Sequence, residues 1–136
     1  MTASRVFREA TTPFTDWEPW LLAELEANRA NGHVGTRLVS ETGRVRVWQV
    51  RLWPGERLAF HRHQLDYFWS ALMPGRSRSH HCDGSIRETN YDVRTTQHFS
   101  FGPGEAMIHD LENIGGTTLL FTTVEFKEGA NPPLSL

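Results

Sequence analysis

Two histidines, His61 and His63, stand one residue apart in FHRHQLDYFW, and a third, His109, lies in MIHDLENIGG. In an extended strand, residues i and i+2 point to the same side and sit about 6.6 Å apart. Two imidazoles so placed can therefore converge on one ion at about 2.0–2.1 Å per bond. The chemistry open to such a pair is metal chemistry. An H-x-H pair on a strand is also what solvent-facing or hydrogen-bonded imidazoles would look like, so the third histidine and the elements that carry it decide the matter.

The remaining titratable residues near these motifs are poorer candidates. His80 and His81 are adjacent, and a regular strand sends neighbours to opposite faces, so they cannot both chelate one ion. His98 sits in TTQHFSFG, where Phe99 and Phe101 share one side; if the phenylalanines face a cavity His98 is excluded from it, and the reverse register would make it a spare ligand. Glu105 falls on the same side as Met107 and His109 in a regular strand, yet four residues span about 13 Å, too far for one shared ion. Phe60, Trp48, Trp53, Trp69, Met107 and Phe121 are available as apolar wall residues, and strand parity does not choose among them.

The elements that must position these residues are mostly strands. From Gly35 onward, short runs rich in Val, Thr, Trp and Phe are broken by Thr42-Gly43, Pro54-Gly55, Pro74-Gly75, Asp83-Gly84, Pro103-Gly104 and Gly115-Gly116, the rhythm of an all-β sandwich or barrel. Strands are expected over 44–53, 57–63, 67–73, 93–101, 105–113 and 118–126. The segment RSRSHHCDGSIRETNYD reads as a hairpin, because Asp-Gly favours a two-residue turn whose twist suits its strands. In TLLFTTVEF apolar residues fall on both faces, which suits a strand covered on each side.

One segment, DWEPWLLAELEANRANG, reads as a helix. Trp17, Trp20, Leu21 and Leu25 recur at helical spacing and would form one apolar stripe. Asp16 is the expected N-cap, Pro19 falls in the first turn where its missing N–H loses no partner, and Gly32 supplies the stop.

Taken in order, these features resemble the cupin superfamily. Gly55, five intervening residues, His61 and His63 follow the first cupin motif, Gly75 closes it, and His109 with Asn113 follows the end of the second. The resemblance covers roughly residues 35–127. It implies an all-β double-stranded β-helix, a jelly-roll barrel at 35–136, with residues 1–34 as an extension and helix packed outside, together one domain. RLWPGERLAFHRH, LDYFW and HDLENIGGTTLLFTTVEF are similar to the small cupins grouped as β-alanine degradation proteins, a label that implies a pathway neighbourhood and no defined reaction.

Two departures from the cupin pattern bear on the site. The metal-binding glutamate of the first motif would fall at Tyr67, and Gly104 stands five residues before His109 where the usual spacing is three. A phenol ordinarily ionises near pH 10 and would need the field of a metal to become an anion at neutral pH. The preferred role for Tyr67 is therefore a hydrogen bond to bound water or substrate, with a weak ligand, or a core aromatic whose hydroxyl finds one partner, as the other readings. Asp66 is the carboxylate alternative, favoured by chemistry and disfavoured by position.

Composition narrows the function. At 136 residues the chain suits one domain that buries about two-thirds of its unfolded surface. Sixteen acidic residues against fourteen basic ones leave a formal charge of -2, with no basic block to track a phosphate backbone, so nucleic acid is not the expected partner. Cys82 is the only cysteine, so there is no internal disulfide or thiolate cluster, and a reducing compartment fits. MTASRVFREATTPF lacks the apolar core of a signal peptide and no run is long enough to span a bilayer, so a cytoplasmic protein without a membrane partner is expected.

Three neutral imidazoles on a divalent ion would leave a net positive site with open positions, suited to an anionic or chelating small molecule. Iron(II) would let substrate and dioxygen bind together; zinc, nickel or manganese could polarise a carbonyl or generate a hydroxide. The expectation is a metal-dependent cupin enzyme, an iron(II) dioxygenase of a small carboxylate or amino acid derivative, with isomerase or lyase chemistry on the same list. A non-catalytic cupin that binds a small ligand or a metal is the alternative. A partner-binding module with structural histidines is the third reading, supported by the surplus of aromatics. The resemblance also implies a homodimer.

Overall fold

The computed structural model describes residues 5–9 and 13–136, with the backbone alone at 5–9. The expectations placed on residues 1–4 and 10–12, including half of the opening stretch lacking a signal peptide, lie outside the described residues.

Chain order is β1 (Arg5–Glu9), α1 (Pro19–Ala27), β2 (Arg37–Glu41), β3 (Val45–Leu52), β4 (Arg57–His63), β5 (Tyr67–Ala71), β6 (Gly75–His80), β7 (Ile86–Tyr91), β8 (Thr96–Phe99), β9 (Met107–Asn113) and β10 (Leu119–Phe126). The strands form two five-stranded sheets, in the orders β1-β7-β6-β9-β4 and β2-β3-β10-β5-β8. Every pairing is antiparallel. Val50, Leu52, Ala71, Tyr91, Leu119 and Phe121 fill the space between the sheets.

Helix α1 lies outside the first sheet. Trp17, Leu21 and Leu25 pack with Phe60, Ile86 and Ile108 on the outward face of that sheet. The helix is shorter than its periodicity predicts. Glu18 is the N-cap, with Pro19 in the first turn, and the helix ends at Asn28. Asp16 instead adopts a left-handed φ of 64° and caps nothing. Asn31 is drawn out of helical geometry by a tertiary bond, its Nδ2 donating to the Phe60 carbonyl at 2.9 Å. Trp20 leaves the expected stripe: it is 55% exposed and its ring lies 5.1 Å from the Arg57 guanidinium carbon, a cation–π contact.

The hairpin β6–β7 forms with a different turn. His81 N–H donates to Ser85 O, and Gly84 N–H donates to His81 O, both at 2.9 Å. Cys82, Asp83 and Gly84 thus make a three-residue loop, with Gly84 at φ 87° supplying the left-handed position. Strand β10 also departs from expectation. It is central in its sheet and alternates, with Leu119, Phe121, Thr123 and Glu125 buried and the opposite face only partly covered.

Two motif positions have plain backbone reasons. Gly55 turns at φ 87°, and a Cβ at Gly75 would come within 2.6 Å of Leu119 Cδ2. Among the described residues no helix is long and apolar enough to cross a membrane.

Candidate metal centre

Strands β4 and β9 are neighbours, and their register makes His61 the direct partner of His109 and His63 the partner of Met107. Cross-strand partners share a face with Cβ atoms about 4.5–5.5 Å apart, and the i, i+2 rule adds His63 to that face. The three imidazoles therefore meet. Ring centroids are 5.0 Å apart for His61–His63, 4.7 Å for His61–His109 and 5.2 Å for His63–His109. One ring nitrogen from each lies within 4.8 Å of the others.

A bulge in β4 lies just before the pair. The register slips by one residue between Leu58 and His61, so the parity of the strand flips there. Leu58 and His61, three apart, both face the interior, while Phe60 turns outward beneath α1. The bulge also brings the Ala59 carbonyl to 2.8 Å from His61 Nδ1. A carbonyl only accepts, so Nδ1 carries the proton and Nε2 presents its lone pair to the site.

Electrostatics keep the cluster ready for a cation. Burial lowers the pKa of His61 to about 4, against the opposing hydrogen bond that its Nδ1–H donates to Ala59 O. Burial, followed by the neighbouring imidazoles, holds His63 and His109 well below the usual histidine range. All three are neutral at neutral pH. His63 Nδ1 and His109 Nε2 are buried with no hydrogen-bond partner. Buried polar atoms are ordinarily paired, and each neutral imidazole carries one lone pair that a divalent ion can take. The donor set and its bare nitrogens fit a divalent metal; three imidazoles alone do not select which.

Tyr67 closes one side. Its ring stacks on His63 at 4.0 Å and 10°, and on Phe99 at 4.7 Å and 8°. Burial, and then the charge of Glu125, raises the phenol well above its ordinary value, so it is a proton donor. Asp66 turns away to accept from Phe101 N–H at 2.9 Å, which removes it from the site. Glu105 accepts from Gly102 N–H in the β8–β9 connection. His98 stacks on Phe68 outside while Phe99 faces inward. Asn113 acts as a clamp: its Nδ2 donates to Leu52 O at 2.9 Å and Thr117 O at 2.8 Å.

The cluster opens into a cavity walled by Val50, Leu58, Trp69, Leu111 and Phe121. Of the other proposed wall residues, Met107 lines the outer part. Trp48 is buried and donates to Glu125 Oε1 at 2.7 Å, and Trp53 is 53% exposed under Arg51. The cavity continues into a mouth that adds His81, Arg87, Thr89 and Gln97.

Sequence reasoning set His81 aside as a ligand together with His80 and did not consider Arg87. His80 and His81 do take opposite faces: His80 Nδ1 meets Asp110 under the helix, and His81 bridges to His109 with ring centroids 5.2 Å apart. The signal lay in hairpin register, since Ser79 pairs with Arg87 and Ser77 with Thr89, and that register follows from the loop length.

No protein-family model matches the sequence, and no curated protein matches it. Solved structures do. A cupin domain from Bordetella pertussis Tohama I aligns at 23% identity and a TM-score of 0.59, covering 68% of this chain and 91% of its own. A conserved protein with a double-stranded β-helix domain from Klebsiella pneumoniae aligns at 22% and 0.54, covering 69% and 76%. At these identities the likeness concerns architecture alone. Two facing antiparallel sheets, the strand order and these neighbours together establish an all-β cupin fold, a double-stranded β-helix with one helix packed outside.

Proposed function

We propose that this protein is a metal-dependent enzyme in which His61, His63 and His109 hold iron(II), acting with dioxygen on a small carboxylate or amino acid derivative. The observation that carries the reading is the set of three neutral imidazoles, two with bare buried nitrogens, converging within 4.8 Å at the base of a cavity. No carboxylate lines that cavity among the described residues, so nothing offsets the charge of a bound cation except its ligand. An anionic guest is the consequence.

When bound there, iron(II) would supply redox chemistry toward dioxygen and Lewis acidity toward an anionic group. The chain's own contributions follow from the geometry. Ala59 O holds His61 in the tautomer that offers Nε2. Tyr67 packs His63 in place and offers a protonated hydroxyl for a hydrogen bond to substrate or bound water. Trp69, Leu111 and Phe121 keep bulk water from the base of the cavity. Strand β2, an edge strand exposed along all five residues, suits the homodimer that completes this reading; a monomeric mass in solution would remove that part.

The test is elemental analysis of protein purified without an affinity tag, followed by oxygen uptake after anaerobic loading with iron(II), across small carboxylates and amino acids. Stoichiometric iron and substrate-dependent oxygen uptake are expected. Tight ligand binding with no turnover on any metal would instead assign a non-catalytic binding protein.

A further inference from the structure

Among the described residues that line the mouth of the cavity, Arg87 carries a permanent positive charge. In β7 the side chains alternate. Ile86 joins the apolar cluster beneath α1, and Glu88 is buried on that same outward face against Arg78 at 3.2 Å. Arg87 and Thr89 take the opposite face and line the mouth with His81, Gln97 and Phe99. Arg87 is solvent-exposed while His61 is 2% exposed, so the guanidinium stands at the rim and the imidazoles at the base.

Asp83 is held by Ser85 N–H and Ser85 Oγ at the tip of the hairpin. Arg87 already has an interaction of its own, and five N–H donors in a planar fork can serve a second acceptor.

We propose that Arg87 anchors a carboxylate of the substrate at the rim of the cavity, so that the substrate carries this carboxylate in addition to the group that meets the metal. This rests on the metal-site reading above and specifies its substrate as a bifunctional small molecule. A carboxylate is the matching partner because a guanidinium fork receives its two oxygens together. Thr89 and Gln97 beside it are neutral, which suits one negative charge better than the two of a phosphate. The apolar wall between rim and base, Trp69 and Phe99 among it, suits a short carbon skeleton.

Zinc-loaded protein, in which no redox turnover competes, is titrated calorimetrically with malonate, succinate and glutarate and with the monocarboxylates of equal length, propanoate, butanoate and pentanoate. At least one dicarboxylate should bind about tenfold or more tighter than its monocarboxylate, the scale of a hydrogen bond to a charged group. Arg87→Gln should abolish that advantage, and Arg87→Lys should restore part of it. Zinc content, measured on every sample, should stay stoichiometric in both variants. An undiminished advantage in Arg87→Gln, or no dicarboxylate preference in the wild type, overturns the anchor while leaving the metal site standing. Wild-type protein that takes up no zinc overturns the metal site, and the anchor with it.

Discussion

Strands β4 and β9 carry two different societies of buried polar groups on their two faces. Inward, His61, His63 and His109 are neutral, and two of their nitrogens lack partners. Outward, one residue along the chain from His109, Asp110 is fully buried and saturated: Arg57 Nη2 donates to it at 2.8 Å, and His80 N–H at 2.6 Å. Arg57 in turn holds Glu24 of the helix at 2.8 Å. Burial pushes Asp110 upward, and His80 followed by Arg57 outweighs it, leaving the carboxyl below its usual range. Trp17 Nε1 and Arg57 Nε also lack partners on that side, but both are N–H donors and cannot ligate a cation. The difference teaches that buried groups completed by the protein hold the fold together, whereas those left with bare lone pairs await something else.

The sharpest way to break this comparison is to remove one imidazole from each face. His109→Ala should lower metal affinity by more than ~100-fold, beyond the range for losing an outer-shell partner, and His61→Ala and His63→Ala should do the same. His80→Ala on the outer face, and His81→Ala at the mouth, should leave occupancy stoichiometric. Elemental analysis after dialysis reads all five, and stoichiometric metal in the His109 variant would end the assignment.

The outer face should answer in stability instead. Asp110→Ala leaves His80 N–H without its acceptor and takes one of two carboxylates from Arg57. Breaking a buried charge network by removing one partner costs about 3–5 kcal/mol. Urea unfolding should show that loss, with folded protein still able to load metal. A cost below ~1 kcal/mol would mean that the bonds of Asp110 to Arg57 and His80 add little to the fold.

The two faces differ in how legible they are in the sequence. His61 and His63 could be paired because the i, i+2 rule is local, and His109 because its spacing to Asn113 resembles a known motif. What local reasoning lacks is parity across a bulge: regular alternation from His61 turns Phe60 outward, as found, but would also turn Leu58 outward, and Leu58 faces the cavity because one extra residue between Leu58 and His61 turns the strand over. The Arg57–Asp110–Glu24 network and Arg87 were invisible for a related reason, since each depends on which residues stand opposite one another across strands or beneath a helix. Asp16 looked like a cap by type alone, while the chain entering α1 takes a left-handed turn there and gives the cap position to Glu18.

Acid should separate the faces in the metal-free protein. His61 titrates near 4 when folded and near 6.5 when unfolded. The unfolded chain binds that proton first, so stability is complete above pH 6.5 and is lost as pH falls toward 4. For His61 alone the loss is roughly 3 kcal/mol, and His63 and His109 act in the same direction. Asp110, with its folded pKa depressed, contributes stability above the ordinary carboxylate range and loses it only as pH falls through the lower folded value. Denaturant midpoints between pH 7 and 4 should therefore fall in the wild type and fall less steeply in His61→Gln. Equal slopes would show that the inner imidazoles are not held neutral by burial. Loading with zinc should steepen the acid loss, because protons then compete with the ion for the same nitrogens.

The smallest expected effect belongs to the hydroxyl of Tyr67. Its ring holds His63 by face-to-face stacking, and Tyr67→Phe keeps that ring while removing one O–H. If the phenol donates to substrate or bound water, the variant should retain full metal content, change stability by no more than about 1 kcal/mol, and weaken the tightest-binding dicarboxylate by about threefold to tenfold. If the oxygen were itself a ligand, metal content would drop with it. Because burial and the charge of Glu125 keep the phenol protonated, wild-type dicarboxylate affinity should also show no step attributable to this residue between pH 7 and 9. A loss of metal in Tyr67→Phe would move Tyr67 from the wall of the cavity into the coordination sphere and put a fourth donor where the sequence offers no carboxylate.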